Sequence, residues 1–283
     1  MKNVATIVGY ALGEALRRRV FLVVLLLTLV FLFLFWLGNH YVFRDIAQVQ
    51  PPEGVNVRDF VGSFVFGLAM FATLFLGVVL AVFLTLGAVS GDAERGLLQP
   101  LVVRPIGRST FLVSRWLGAS LVCVPYVLAV YFAGLLITGL VGHWWPDRIV
   151  LPGLELCGGV VIVAGLSLLG SVFLGSTANG IAVFMIFGSG LVSGLLGSIG
   201  HALPSRTLIH AAKITAWVLP FEALYEDALH AITENTVGFT RFLLRLGPFG
   251  GAENGGYALR LWALAYLLIV GTIALAAFRR RDL

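Results

Sequence analysis

The sequence predicts an all-α integral membrane protein with six transmembrane helices, and three observations carry that prediction. Its mean hydropathy is +0.98 over 283 residues, too apolar for a soluble chain, whose core must be covered by a polar shell. Six segments, 20–37, 61–89, 116–140, 154–174, 180–199 and 259–278, are apolar over about the 20 residues a helix needs to cross a hydrocarbon core of roughly 30 Å. These runs are apolar on all sides, whereas strands of a membrane barrel would alternate polar and apolar residues over about ten positions. Together the spans make one membrane domain over residues 1–283.

Ahead of the first span, residues 3–19 place Val4, Ile7, Val8, Ala11, Leu12, Ala15 and Leu16 at helical spacing, with Lys2, Glu14 and Arg17 to Arg19 elsewhere on the wheel. That pattern predicts an amphipathic helix in the membrane interface or an extension of the first span. The first span is no cleaved signal peptide: the arginine triplet lies well inside the chain, the apolar run is too long, and no small-residue cleavage site follows. Residues 38–60 are polar and broken by Pro51 and Pro52, as in a loop. In the third span Pro125 predicts a kink. The short loop at 141–153 brings Trp144 and Trp145 to the interface as anchors.

GSTANG at 175–180 reads as an uncharged turn. In the fifth span Gly190 and Gly194 form a GxxxG pattern, which fits helix packing within one subunit or between two. The longest non-spanning segment, 200–257, contains PFEALYEDALHAI, with Phe221, Leu224, Ala228 and Leu229 on one side and Glu222, Glu226 and Asp227 mainly on another. An interfacial or re-entrant helix is the expectation there. GPFGGAENGG at 247–256 follows as a turned connector.

Orientation follows from where the basic residues gather. With both termini in the cytoplasm, the inner face carries eleven basic and four acidic residues, a net +7. The other eight basic and ten acidic residues leave the outer face at −2, matching the chain's +5. The pI of about 9.6 thus reports sidedness in a cytoplasmic or inner membrane and requires no nucleic acid.

Several chemistries lack their residues. The span middles hold no ionisable side chain, and Glu155, within a turn of the outer end of span four, is expected to reach water. Ion-coupled carriers need carboxylates or broken-helix sites at the midplane, and a hydrolase needs a nucleophile with a base. The five histidines fall in three outer loops without metal-ligand spacing, and Cys123 and Cys157 lie within helices, so neither a metal site nor a disulfide framework is expected. Energy for any transport would have to enter from elsewhere.

One stretch departs from the apolar background. SGDAERGLLQPLVVRPIGRSTFLVSRW at 90–116 gathers Asp92, Glu94, Arg95, Arg104, Arg108 and Arg115, although only 12% of the chain is charged. Leu97, Leu98, Leu101 and Val102 add a short apolar stripe, while Pro100 and Pro105 limit helix length. The arginines serve topology alone, or this cytoplasmic loop at 90–115 docks on a soluble partner.

Glu94, Gly96, Leu97, Pro105, Arg108 and the basic residue at 115, placed after span two and entering span three, resemble the permease subunits of ABC type-2 transporters. Arg115 stands where lysine is commoner in that pattern, with the charge kept. The amphipathic start, six-span plan and long segment between spans five and six extend the resemblance over the whole chain. It implies that Asp92, Glu94, Arg95, Gly96, Leu97, Arg104 and Arg108 couple the chain to a separate cytoplasmic ATPase holding ATP and Mg. It also implies that two copies, in a likeness to exporters, pair around a path lined by spans two and five. No GxxxxGK[ST] phosphate loop occurs, and neither Lys2 nor Lys213 follows a glycine, so hydrolysis belongs to a partner chain. A weaker similarity links the chain to the permease of the nitrous-oxide-reductase maturation system, although three methionines give no copper-thioether path.

Span two carries Phe60, Phe64, Phe71 and Phe75 on one helical stripe. That stripe faces lipid or the path implied by the resemblance. In the path it would strip a small ion of hydration without compensation, so the expected cargo is amphipathic or lipidic. A membrane-bound enzyme or scaffold with its site in the outer segment is the alternative class.

Overall fold

The structure is a computed structural model that describes residues 13, 19–46, 56–86, 107–234 and 255–280, without the side chains of Arg19, Arg108, His201 and Ala202. Among the described residues there are eight helices and no strand: α1 Arg19–Ile46, α2 Val57–Thr85, α3 Arg108–Gly142, α4 Val150–Phe173, α5 Ser176–Ala202, α6 Arg206–Val218, α7 Pro220–Ile232 and α8 Gly256–Arg280. Six of them, all but α6 and α7, are long and apolar enough to cross a membrane. The chain is an all-α, multi-pass membrane protein.

Every span but α2 is longer than its apolar run; α2, Val57–Thr85, has 29 residues and begins four residues before its run. The helix α1 continues through NHYVFRDI, which the sequence reads as loop, because Asn39 donates to the Phe35 carbonyl at 2.7 Å and Phe43 packs beside Gly142. Ser176 to Gly180 likewise belongs to α5, leaving Leu174 and Gly175 as the α4–α5 turn. Short polar residues extend these helices at little cost where their side chains bond the preceding turn.

At the centre of the bundle α4 packs against α2, α3, α5, α7 and α8, while α1 lies at the periphery against α2 and α3. Close approach depends on small residues. A Cβ on Gly77 of α2 would stand 2.8 Å from methyl groups of both Val127 and Val160, so the three helices meet only because none is there. Phe66, Met70, Leu74, Tyr131, Leu156 and Val160 fill this core, with Phe66 tilted between Tyr131 and Trp144. Thr28 of α1 pairs its hydroxyl with Tyr126, and Tyr131 donates to the Ile149 carbonyl at 2.8 Å.

At the end of the bundle that carries the α4–α5 turn, Thr85 donates to Ser167 Oγ at 2.7 Å and Asn179 Nδ2 to the Ser167 carbonyl at 2.9 Å. All three side chains are buried. Hydrogen bonds between such buried groups fix α2, α4 and α5 in register.

Candidate functional site

The segment between the last two spans folds into a helical hairpin. Helix α6 returns along α5, with Gly200 beside Leu208 and Gly197 beside Ala212. The chain breaks at Leu219, Pro220 opens the next helix at a position that needs no N–H, and α7 runs back to the face that carries residues 143–149. Its tip lies well inside the bundle: Phe221 packs over Gly159 of α4, nine residues into that helix and so about 13 Å below its first residue. Helix α7 is buried on nearly every side, Glu222 and Asp227 included. Its acidic side, which the sequence sets apart from the apolar one, is therefore not a water-facing surface.

Three ionisable groups on three elements explain how a helix with buried carboxylates stays in place. Arg260 of α8 donates through Nε to Glu155 Oε1 at 2.8 Å and through Nη2 to Asp227 Oδ2 at 2.9 Å. The backbone N–H of Gly255 donates to the other Asp227 oxygen at 3.0 Å, beside Gly256 at φ 61°, a left-handed conformation that glycine adopts without penalty. The guanidinium also lies 5.5 Å from the Tyr257 ring centroid. Glu155 is only 4% exposed, so the expectation that it reaches water is corrected. Its place one turn into α4 is covered by α7, and its partner is a cation in place of solvent. At membrane depth a lone carboxylate is costly, and pairing offsets that cost.

The hairpin is fastened elsewhere too. Arg148 and Glu234 form a two-pronged exposed ion pair at 2.5 and 3.0 Å, whose hydrogen bonds hold the arginine above its ordinary pKa. Exposed pairs of this kind add little stability and serve here to set position. Trp262 of α8 donates to the Trp217 carbonyl at 2.8 Å, and the two indoles lie 5.7 Å apart.

Around the tip is a continuous aromatic cluster from α2, α5 and α7. Phe71 and Phe75 stack at 6.4 Å, Phe71 meets Tyr225 edge-on at 6.2 Å, Phe75 lies 6.4 Å from Phe187, and Phe187 stacks on Phe221 at 5.6 Å. Tyr225 donates to the Gly67 carbonyl of α2 at 3.3 Å. Of the predicted stripe, Phe60 and Phe64 form a separate stacked pair, all but Phe75 are half-buried, and Phe75 is 43% exposed. The stripe thus splits, its deeper half meeting the hairpin and its upper half remaining on the α2 surface.

Gly190 and Gly194 face α7 within the same chain. A Cβ on Gly190 would stand 2.8 Å from the Phe221 ring, and one on Gly194 would overlap the Glu222 carboxylate. These glycines seat the hairpin. Asp92, Glu94, Arg95, Gly96, Leu97 and Arg104 lie outside the described residues, and Arg108 is the first residue of α3. Among the described residues no group of three or more His, Cys, Asp or Glu side chains could hold a metal ion.

Set against known proteins, the chain matches no family model and no curated protein.

Proposed function

We propose that the chain is the permease subunit of an ATP-driven ABC transporter, pairing with a second copy, coupled to a separate ATPase chain, and exporting an amphipathic or lipidic substrate. The observation that carries this reading is the aromatic cluster where α2, α5 and the hairpin tip meet at depth. Spans two and five are those that the resemblance assigns to the path. The surface they offer is apolar at Phe75, Leu68 and Met185, while the carboxylate of Glu222 is buried behind α5. Such a surface favours hydrocarbon and disfavours a hydrated ion.

In this reading residues 90–107 and the first turns of α3 seat in a groove of the ATPase, with Glu94, Arg95 and Arg108 as the charged contacts. Charge-assisted hydrogen bonds shielded from water are worth about 1.5–3 kcal/mol each, tenfold or more in association. Glu94→Arg and Arg108→Glu should each reduce co-purification of the ATPase by about that factor or uncouple its hydrolysis from transport, with the permease still folded. Unchanged association and transport in the double reversal would make the loop a topological anchor only.

A second reading, a proton-coupled carrier, is favoured by one observation. The hairpin brings Glu222, 3% exposed, to mid-depth beside Gly194, a place where the spans themselves carry no carboxylate. Transport that survives loss of the ATPase and collapses on adding a protonophore would select it.

A further inference from the structure

Far from the hairpin, at the end of the bundle that carries the α4–α5 turn, a groove of about 230 Å³ opens sideways between α3, α4 and α8. Leu112 and Trp116 of α3, Gly165 and Leu168 of α4, and Leu267 and Gly271 of α8 line it. The walls are hydrocarbon apart from two groups: the Thr272 hydroxyl, which donates to the Ile269 carbonyl at 2.8 Å within α8, and the Trp116 Nε1 donor, which is buried without a hydrogen-bond partner among the described residues. Buried indole N–H groups find acceptors as a rule, and no described group accepts this one. At the rim, Val113 and Leu268 are 39% and 72% exposed, so the groove faces the surroundings of the bundle.

Beside its basic end the Phe111 and Phe278 rings, 6.3 Å apart, pack against Leu112, Leu168 and Ala274, with the Arg115 guanidinium 5.5 Å above Phe111 and Arg279 next in α8. Every charged side chain described at this end of the bundle is an arginine: Arg115, Arg279 and Arg280.

We propose that this groove binds an anionic phospholipid. One acyl chain lies along Leu112, Gly165, Leu168 and Gly271, an ester carbonyl accepts the Trp116 N–H, and the phosphate lies between Arg115 and Arg279. Arginines at the membrane surface attract anionic headgroups, so two should favour an anionic over a zwitterionic lipid by about tenfold or more.

Brominated acyl chains quench indole fluorescence on contact, which makes Trp116 its own reporter. Purified protein in detergent would be titrated with phosphatidylglycerol or phosphatidylcholine brominated on the acyl chains, with Trp116→Phe isolating that residue's share from the other five tryptophans. The expected result is quenching of Trp116 at about tenfold lower phosphatidylglycerol than phosphatidylcholine. Arg115→Gln with Arg279→Gln should erase the preference. Gly271→Leu, where an added Cβ meets nothing within 4 Å, should fill the groove and suppress quenching by both lipids. Equal quenching by the two lipids in the unaltered protein would reduce the groove to ordinary lipid contact and overturn the proposal. So would a Trp116 signal indifferent to Gly271→Leu.

Discussion

Arg260 is the residue on which the hairpin's placement most depends, since among the described residues it is the one cation bonded to two carboxylates from two other elements. Removing one partner of a buried ionic group costs about 3–5 kcal/mol because the remaining charge is stranded. Arg260 keeps 29% of its side-chain surface exposed, so the lower end, about 3 kcal/mol, is expected for Arg260→Met. The thermal midpoint of the purified protein should fall accordingly. Adding Glu155→Gln and Asp227→Asn to that variant removes the stranded charges and should restore most of the loss. An Arg260→Met protein as stable as the parent would show that the triad holds nothing in place.

Residue-level legibility was uneven for physical reasons. Glu155 and Arg260 each stand within a turn of a span's end, where sequence alone allows water as the partner, and their true partner comes from a helix that spacing does not position. The signal available was that an arginine one turn into an apolar run needs an anion. Gly190 and Gly194 were legible as a place of close packing, but their neighbour was not, because GxxxG specifies a small surface and leaves the partner unspecified.

At the scale of elements, the spans are readable because hydrocarbon imposes a run of about 20 apolar residues, and each of the six runs falls largely on one long helix of the structure, those at 61–89 and 154–174 extending past the helix ends at Thr85 and Phe173. Helix ends were less so. Asn39, Ser176 and Thr177 are polar, yet they continue helices whose backbone groups must be satisfied internally. The hairpin was half legible: the amphipathic pattern of α7 indicates a helix, and its burial on both faces comes from α4, α5 and α8 closing around it. Sidedness is testable directly. Single cysteines in a background lacking Cys123 and Cys157 would be labelled with an impermeant thiol reagent in intact cells. Asn235, just beyond the hairpin, should react and Ser109 should not. The reverse pattern would invert the orientation drawn from the arginines.

The whole molecule joins a bundle centred on α4, a hairpin clamped by Glu155, Asp227 and Arg260, and an aromatic surface at the hairpin tip. In the proposed reading the charged stretch of residues 90–115, whose last eight residues open α3, is where energy from outside the chain would enter. The central claim is that ATP hydrolysis on a partner chain drives an amphipathic substrate past that aromatic surface. Hydrolysis by the ATPase, reconstituted with the permease in lipid vesicles, tests it most directly when measured with amphipathic compounds and with small ions, alongside Phe64→Ala and Phe71→Ala. The account predicts stimulation by amphipathic compounds that falls with Phe71→Ala, whose ring meets Tyr225 and Phe75, and less with Phe64→Ala. Hydrolysis stimulated by ions alone and indifferent to both substitutions would contradict the aromatic path, and an ATPase whose turnover ignores the permease altogether would contradict the coupling itself.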